Sequence, residues 1–213
     1  MAAPYKLHGI WLSGPTYKVG LMLALTQQKF DYEFINLREG AQQAPAYKAI
    51  NKFAVVPTLT VRASGKHYAQ AAAILGYLAQ ATGKFAGSSP DEQQDIREWM
   101  LWSYDRLVPA IYRMRAFKLG FRKMDEGTVT MYTADGNAAL KFLDSHLTGK
   151  QWLVGNAASI ADIDSYGVAY YAAEGGFDTA QYPNVKAWMG RIEALPGYGK
   201  PEAILPKESK AAA

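Results

Sequence analysis

The side chains that most often do chemistry are either absent from this sequence or widely spaced along it. No residue is a cysteine, which excludes disulfides, thiolate metal sites, iron–sulfur clusters and a cysteine nucleophile. The three histidines, His8, His67 and His146, are too far apart in sequence to form a recognisable metal-binding spacing. We therefore expect no metal site, and any thiol chemistry has to come from a bound ligand.

Two further groupings have plain structural explanations. The run Ser159-Ile160-Ala161-Asp162 has the form of a capping box, which indicates the start of a helix and not a site. A cluster of basic residues lies in the middle of the chain and could raise the potential around an anionic ligand. We favour a solvated helix face for it, with long aliphatic stems over apolar surface. Its members are Arg106, Arg113, Arg115, Lys118, Arg122 and Lys123.

The elements that must position any site follow two different patterns. Up to about residue 81, alternating strand patterns and helical spacings predict the order β-α-β-α-β-β-α. The first two strands are separated by a helix, as a parallel pair requires. The strand patterns cover 5–9, 31–36, 55–61 and 66–68, and the helical patterns cover 15–28, 70–80 and a short segment near 47–50.

Beyond residue 90 the pattern becomes helical. Residues 82–90 have loop composition and mark a domain boundary. A long amphipathic helix starts after Asp91 and should be kinked by Pro109. Further helices are predicted at 127–146, from Ser159 onward, and at 183–195, and the charged, alanine-rich tail from 206 to 213 is expected to be mobile.

Composition narrows the class of protein. The chain has 213 residues, of which 49% are hydrophobic and 20% charged, so it is long and apolar enough for a substantial core. The net charge of +4 is modest, because acidic and basic residues are interspersed, and we expect no nucleic-acid partner. No apolar run is long enough to span a bilayer, so we expect a cytoplasmic protein with no membrane contact.

Four motifs in this order resemble the glutathione transferase superfamily, over about residues 5–200. The resemblance implies an α/β plus all-α fold, with a thioredoxin-like domain at 1–81, a linker at 82–90 and an all-helical domain at 91–205 that carries an electrophile pocket. The motifs are Leu7-His8-Gly9 followed by Ser13, Asn51 to Leu59 with Val56-Pro57 inside it, Tyr68 to Leu78 with Gln70 inside it, and Ser159 to Ile163.

The resemblance implies that glutathione is the co-substrate. A thiol of pKa about 8.5 is mostly protonated at neutral pH, so a donor must stabilise the thiolate, and Ser13 occupies the position of the donor in serine-type members. Val56-Pro57 resembles the family's Val-cis-Pro pair, whose valine backbone pairs with the cysteinyl backbone of glutathione. Gln70 matches the position that holds the γ-glutamyl group.

Each of these residues also has a simpler explanation. Ser13 could be only a helix cap or a loop serine, with Thr16 and Tyr17 as nearby hydroxyl substitutes. Tyr5 lies on the first strand, where we expect it to pack. Pro57 in cis could simply maintain the thioredoxin-like fold.

Three positions depart from the family pattern. Gln42 stands where histidine is frequent, Val55 where glutamine is frequent, and Ala71 where serine or threonine is usual. Buried hydrogen bonds to a charged ligand are worth about 1.5–3 kcal/mol each. These departures motivate a second hypothesis, in which the chain is a non-catalytic ligand-binding or interaction protein whose glutathione site has decayed.

The first hypothesis is a cytoplasmic detoxification enzyme with glutathione transferase activity toward an apolar electrophile. Peroxidase, lyase, dehalogenase and isomerase chemistry would use the same thiolate, whereas the family's thiol-exchange branch uses its own cysteine. By the resemblance, Phe53 is a candidate contact in a homodimer. Candidates for the second-substrate pocket, for each of which core packing is the alternative, are Trp11, Leu12, Trp102, Met114, Phe117, Tyr166 and Tyr170.

Overall fold

A four-stranded mixed sheet organises the first part of the chain. The computed structural model, which describes residues 2–211, places the strands at β1 (Tyr5–Gly9), β2 (Phe30–Phe34), β3 (Thr58–Val61) and β4 (Lys66–Ala69). The strand order is β2-β1-β3-β4, with β1 parallel to β2 and the other two pairs antiparallel. The predicted order of strands and helices and the thioredoxin-like fold are confirmed.

Three helices complete this sheet domain: α1 (Gly14–Leu25), α2 (Pro45–Ile50) and α3 (Ala71–Thr82). Ser13 caps α1 and Pro15 lies in its first turn, as the sequence indicates. The helix α1 is buried on almost every face, so it is a core helix and not an amphipathic surface one. The fully buried core includes Leu7, Val19, Leu23, Leu59, Ile74 and Leu78.

The rest of the chain up to residue 194 forms a second unit made of helices. They are α4 (Pro90–Trp102), α5 (Val108–Lys118), α6 (Glu126–His146), α7 (Ile160–Ala169) and α8 (Pro183–Glu193). The predicted kink at Pro109 is a wide π-helical turn at Ser103–Leu107 between α4 and α5. Proline lacks the N–H that would bond the carbonyl four residues earlier, and its ring crowds that carbonyl, so the preceding turn widens.

The segment after α8 differs from the sequence expectation. Residues from Leu195 onward belong with the sheet, together with residues up to Lys84, whereas the helical unit is Phe85–Ala194. We predicted that the helical domain ends at residue 205, whereas the helical unit ends at Ala194. The segment between these two limits contains α9 (Pro201–Ile204). We call the first body the N-terminal unit and the second the helical unit.

The tail also differs from its prediction. Instead of extending freely, the tail is bound to β2 near its end, through backbone hydrogen bonds between Lys210 and Tyr32. The strand β2 is an edge of the sheet, and its open N–H and C=O groups offer partners that composition alone does not reveal. The last two residues of the predicted tail lie outside the described residues. Among residues 2–211, no helix combines the length and apolar character needed to cross a bilayer.

Candidate functional site

The strand register brings three of the predicted site segments to one end of the sheet. Thr58 is paired with His8 of β1 on one side and with Ala69 of β4 on the other. The loop that follows β1, the residues that precede β3 and the residue that follows β4 therefore share this end. They carry Ser13, Val56-Pro57 and Gln70 respectively, so segments distant in sequence meet in the N-terminal unit.

Ser13 is both a helix cap and a partly exposed residue. Its Oγ accepts a hydrogen bond from the N–H of Thr16 at 3.1 Å, which satisfies one of the open donors at the start of α1. Capping uses an oxygen lone pair and leaves the hydroxyl hydrogen available as a donor. The side chain is half-buried, so the cap interpretation and the site interpretation are compatible.

The other candidate hydroxyls are buried. Thr16 and Tyr17 are both fully buried, and the Tyr17 hydroxyl donates to the carbonyl oxygen of Gly199 at 2.9 Å. Tyr5 is also buried and interacts with the hydroxyl of Tyr77, in agreement with the expectation that it packs. Burial thus distinguishes Ser13 from its neighbours, which sequence spacing did not do.

The Val56-Pro57 peptide bond is cis. Around it lies a network of buried polar groups that the sequence analysis did not single out. The Asn51 amide nitrogen donates to the Val55 carbonyl at 2.6 Å and to Thr58 Oγ1 at 2.9 Å. The Tyr47 hydroxyl lies 2.9 Å from each of the same two oxygens.

This network fixes the turn that presents Val56. Asn51, Tyr47 and Thr58 are all buried, and a buried polar network that is satisfied internally is rigid. In the sequence, the only sign of this network was Asn51, the first residue of the second motif. Asparagine is common between a helix and a turn, so the residue type alone does not indicate such a network. Burial raises the pKa of the Tyr47 hydroxyl, which remains protonated and able to donate.

Gln70 has a backbone conformation that glutamine rarely adopts. Its φ is 67° and its ψ is 115°, at the N-cap position of α3, and its side chain makes no capping hydrogen bond within the described chain. Positive φ in a residue other than glycine is costly and is concentrated at ligand sites. Gln70, which is exposed, and the first turn of α3 lie at the same end of the sheet as Ser13.

The three departures from the family pattern lie in this same unit. Val55 is 45% exposed, and its carbonyl oxygen accepts hydrogen bonds from Tyr47 and Asn51. Ala71 is buried, and its methyl group supplies no hydroxyl to the start of α3. The Oε1 atom of Gln42 is buried without a hydrogen-bond partner in the described part of the chain, so a polar ligand atom could satisfy it.

A row of polar side chains crosses all four strands on one face. His8 Nε2 lies 2.8 Å from Thr60 Oγ1, which lies 2.9 Å from His67 Nδ1. On the other side, His8 Nδ1 lies 3.2 Å from Glu33 Oε2, and Lys6 is paired with the same carboxylate. Burial lowers the pKa of His8 from 6.5 to about 4, so its imidazole is neutral at neutral pH. In the described chain, no group of three or more histidine and acidic side chains is placed to hold a metal ion.

The predicted second-substrate residues do not share one environment. Trp11 and Leu12 are half-buried in the loop between β1 and α1. Met114 and Tyr166 are buried in the helical unit, where the Tyr166 hydroxyl donates to Glu193 at 3.1 Å. For these two residues the alternative of core packing holds, since amphipathic spacing cannot separate a core aromatic from a pocket aromatic.

Three other predicted pocket residues are more accessible. Phe117 is half-buried on α5, and Tyr170 follows α7 with its ring 5.0 Å from that of Tyr171. Trp102 lines a cavity of about 210 Å³ within the helical unit, together with Phe142 on α6. Phe53 is 49% exposed, and the Lys52 ammonium lies 5.1 Å from its ring centre.

Two family models match the chain. Residues 15–81 match the N-terminal domain of glutathione S-transferase, and residues 112–196 match its C-terminal domain. A solved structure, of a possible glutathione S-transferase from Rhodopseudomonas palustris, is 30% identical, with 94% of this chain and 98% of that one covered and a TM-score of 0.83. The chain belongs to the glutathione S-transferase family.

Other members of the family are similar over most of their length. A glutathione S-transferase from Pseudomonas fluorescens has a TM-score of 0.88 at 29% identity, with 93% of this chain and 99% of that one covered. The disulfide-bond oxidoreductase YfcG of Escherichia coli is 26% identical over 187 residues, which are 84% of this chain and 87% of that protein. As in this family generally, the chain thus joins a thioredoxin-like unit to a helical one.

Proposed function

We propose that this glutathione S-transferase family member activates the thiol of glutathione for attack on an apolar electrophile. The observation that supports the proposal best is the cap of α1, in which the Ser13 oxygen accepts through a lone pair and the hydroxyl hydrogen is not used. A donor at a helix N-terminus lowers the pKa of a thiol by stabilising its thiolate. The thiolate then attacks the electrophilic carbon, forming a C–S bond as the leaving group departs with the bonding pair.

Backbone groups supply most of the proposed contacts to the tripeptide. The backbone of Val56 would pair with the cysteinyl residue as an added strand does, and the start of α3 with Gln70 would hold the γ-glutamyl carboxylate. Because these donors do not depend on side chains, the departures at Gln42, Val55 and Ala71 weaken binding without removing the site. Holding the thiolate and the electrophile together then supplies much of the rate.

The test is a pair of serine variants that remove equivalent helix caps. Ser89 caps α4 with its Oγ 3.1 Å from the N–H of Glu92, the same distance as in the Ser13 cap. We expect Ser13→Ala to lower turnover of glutathione with an aromatic halide by about a hundredfold, since one donor to a developing anion is worth about that much. Ser89→Ala should lose similar stability and keep its activity, and Ser13→Thr should recover part of the loss.

The panel of second substrates should also include a disulfide and a peroxide, because the same thiolate could reduce them. The proposal is wrong if Ser13→Ala keeps full activity with every substrate that the wild type turns over. Isothermal titration with glutathione comes first, since binding precedes all of these reactions.

A second candidate is a non-catalytic protein with a decayed glutathione site, and the buried methyl of Ala71 favours it. Ala71→Ser restores a hydroxyl at the first residue of α3, whereas Ala73→Ser adds one at an exposed position two residues later. If the site is in use, Ala71→Ser should raise glutathione affinity about tenfold and Ala73→Ser should not. Absence of any gain, together with no detectable binding by the wild type, would favour the second candidate.

We also propose a homodimer and a cytoplasmic location. Exposed Phe53 is a suitable anchor for an isologous contact, and an aromatic anchor inserted into a partner can dominate such an interface. Phe53→Ala should shift the sedimentation coefficient toward that of a monomer at micromolar concentration. The cytoplasm is where the reduced glutathione pool would supply a detoxification enzyme.

A further inference from the structure

The chain beyond α8 returns to the N-terminal unit and is fixed on α1. The hydrogen bond from Tyr17 to the carbonyl of Gly199 joins the two segments. Gly20 allows close approach, because a Cβ there would lie 2.8 Å from a methyl carbon of Ile204. Leu205 is buried. These contacts define where the following residues, 206–211, must begin; we call those residues the C-terminal strap.

The C-terminal strap pairs with the open edge of the sheet. The N–H of Tyr32 donates to the carbonyl of Lys210 at 2.6 Å, and the N–H of Lys210 donates back to Tyr32 at 2.8 Å. The Oγ of Ser209 accepts from the N–H of Phe34 at 3.0 Å. The strap is thereby held antiparallel to β2 by a single bridge, and two edge donors of β2, the N–H groups of Tyr32 and Phe34, have partners in it.

Between its two anchored ends the strap passes the loop that carries Ser13. The ammonium group of Lys207 lies 5.0 Å from the ring centre of Trp11, which is within the range of a cation–π contact. Trp11 is a half-buried residue two positions before Ser13. The backbone of the intervening turn is closed by the hydrogen bond from the N–H of Ser13 to the carbonyl of Ile10 at 2.9 Å.

We propose that the C-terminal strap positions the loop between β1 and α1, with Lys207 holding Trp11 and, through it, the hydroxyl of Ser13. Lys207 is a positioning residue, since it acts on the loop and not on the reacting sulfur. The proposal rests on the proposed function of Ser13 in activating the thiol of glutathione. The C-terminal strap is far from Ser13 in sequence, and in this proposal it helps to hold Ser13 in position.

Three variants of the full-length protein test the proposal. Lys207→Met removes the cation and keeps an apolar stem, and Lys207→Arg keeps both the charge and the capacity for a cation–π contact. Lys210→Met is the matched control, because it removes an equal charge from the same strap while its backbone still pairs with Tyr32. The readout is the quenching of Trp11 fluorescence by acrylamide. Each protein is measured with and without Trp11→Phe, and the difference between the two signals is the contribution of Trp11.

We expect Lys207→Met to increase the quenching of Trp11 and to lower kcat about two- to fivefold, with little change in the KM for glutathione, because the Ser13 hydroxyl acts on the thiolate during turnover. Lys207→Arg should restore both values, and Lys210→Met should leave both unchanged. A purely structural contribution would lower the melting temperature and would not separate KM from kcat.

Several results would overturn the proposal. Equal quenching in Lys207→Met and the wild type would show that Lys207 does not hold Trp11. An equal increase in quenching in Lys207→Met and Lys210→Met would assign the effect to charge in general. Increased quenching with an unchanged kcat would break the link to Ser13. Because quenching needs no glutathione, it tests the contact even if the wild type fails to bind glutathione, which is the result that would overturn the proposed function.

Discussion

At the scale of single residues, Ser13 combines a helix cap with partial exposure. Its oxygen accepts from the backbone of α1 through a lone pair, and this bond does not use the hydroxyl hydrogen. The buried group around the Val56-Pro57 turn is different, because each of its members is used to hold the turn itself. This end of the sheet therefore combines a partly exposed serine with a turn whose backbone is held by buried hydrogen bonds.

Position 54 lies in the same turn and is strained. Ala54 has a φ of 51°, a left-handed conformation that costs an L-residue about 1–2 kcal/mol. Glycine avoids this cost but loses about 0.5–1 kcal/mol of chain entropy. We expect Ala54→Gly to raise the free energy of unfolding by about 0.5–1 kcal/mol, measured by urea denaturation. Ala46→Gly, in the exposed helix α2, should lower it instead, and a loss of stability in both variants would contradict the assignment of strain to position 54.

At the scale of elements, the start of α7 organises the helical unit. Asp162 is fully buried and accepts hydrogen bonds from the N–H groups of Ser159 and Leu153, each at 2.9 Å, and from the indole of Trp188 at 2.8 Å. Burial raises the pKa of this carboxyl, and the hydrogen bonds oppose that shift. The motif that the sequence identified as a helix start thus also joins α7 to α8 and to the loop before it.

Removal of this carboxylate should be severe. Asp162→Ala leaves four buried donors, including the Ser159 hydroxyl, without their acceptor. We expect the free energy of unfolding to fall by about 3 kcal/mol or more. Urea denaturation followed by the fluorescence of the buried Trp188 measures the loss. Asp125→Ala is the control, because Asp125 caps α6 at an exposed position and its loss should cost much less. Equal losses in the two variants would mean that Asp162 contributes only as a cap.

At the scale of the whole molecule, the row of side chains across the sheet couples stability to pH. His8 has its pKa lowered from 6.5 to about 4, first by burial; Glu33 opposes this shift, while the electrostatic interactions with Lys6, His67 and Arg62 add to it. Between these two values the unfolded chain binds a proton that the folded chain does not. The contribution of His8 to stability is therefore complete above pH 6.5 and is lost as the pH falls toward 4.

We expect this group alone to lower the free energy of unfolding by about 3 kcal/mol between pH 6.5 and pH 4. The free energy of unfolding of the wild type and of His8→Gln is measured by urea denaturation across this pH range. The difference between the two proteins isolates the contribution of His8 from that of the carboxylates. The two stability curves should converge as the pH falls. Parallel curves would show that His8 titrates normally in the folded protein.

Local chemistry in the sequence determined the periodic features of this protein. Alternation and helical spacing predicted the strands and helices, and the capping box predicted the start of α7, because these signals arise between residues a few positions apart. Only the tertiary structure decided that Thr16 and Tyr17 are buried while Ser13 is accessible, and that Met114 and Tyr166 pack in the core. It also decided that the C-terminal strap pairs with β2. Contacts between residues far apart in the chain leave no periodic trace, so burial and edge pairing emerge only once the segments are packed together.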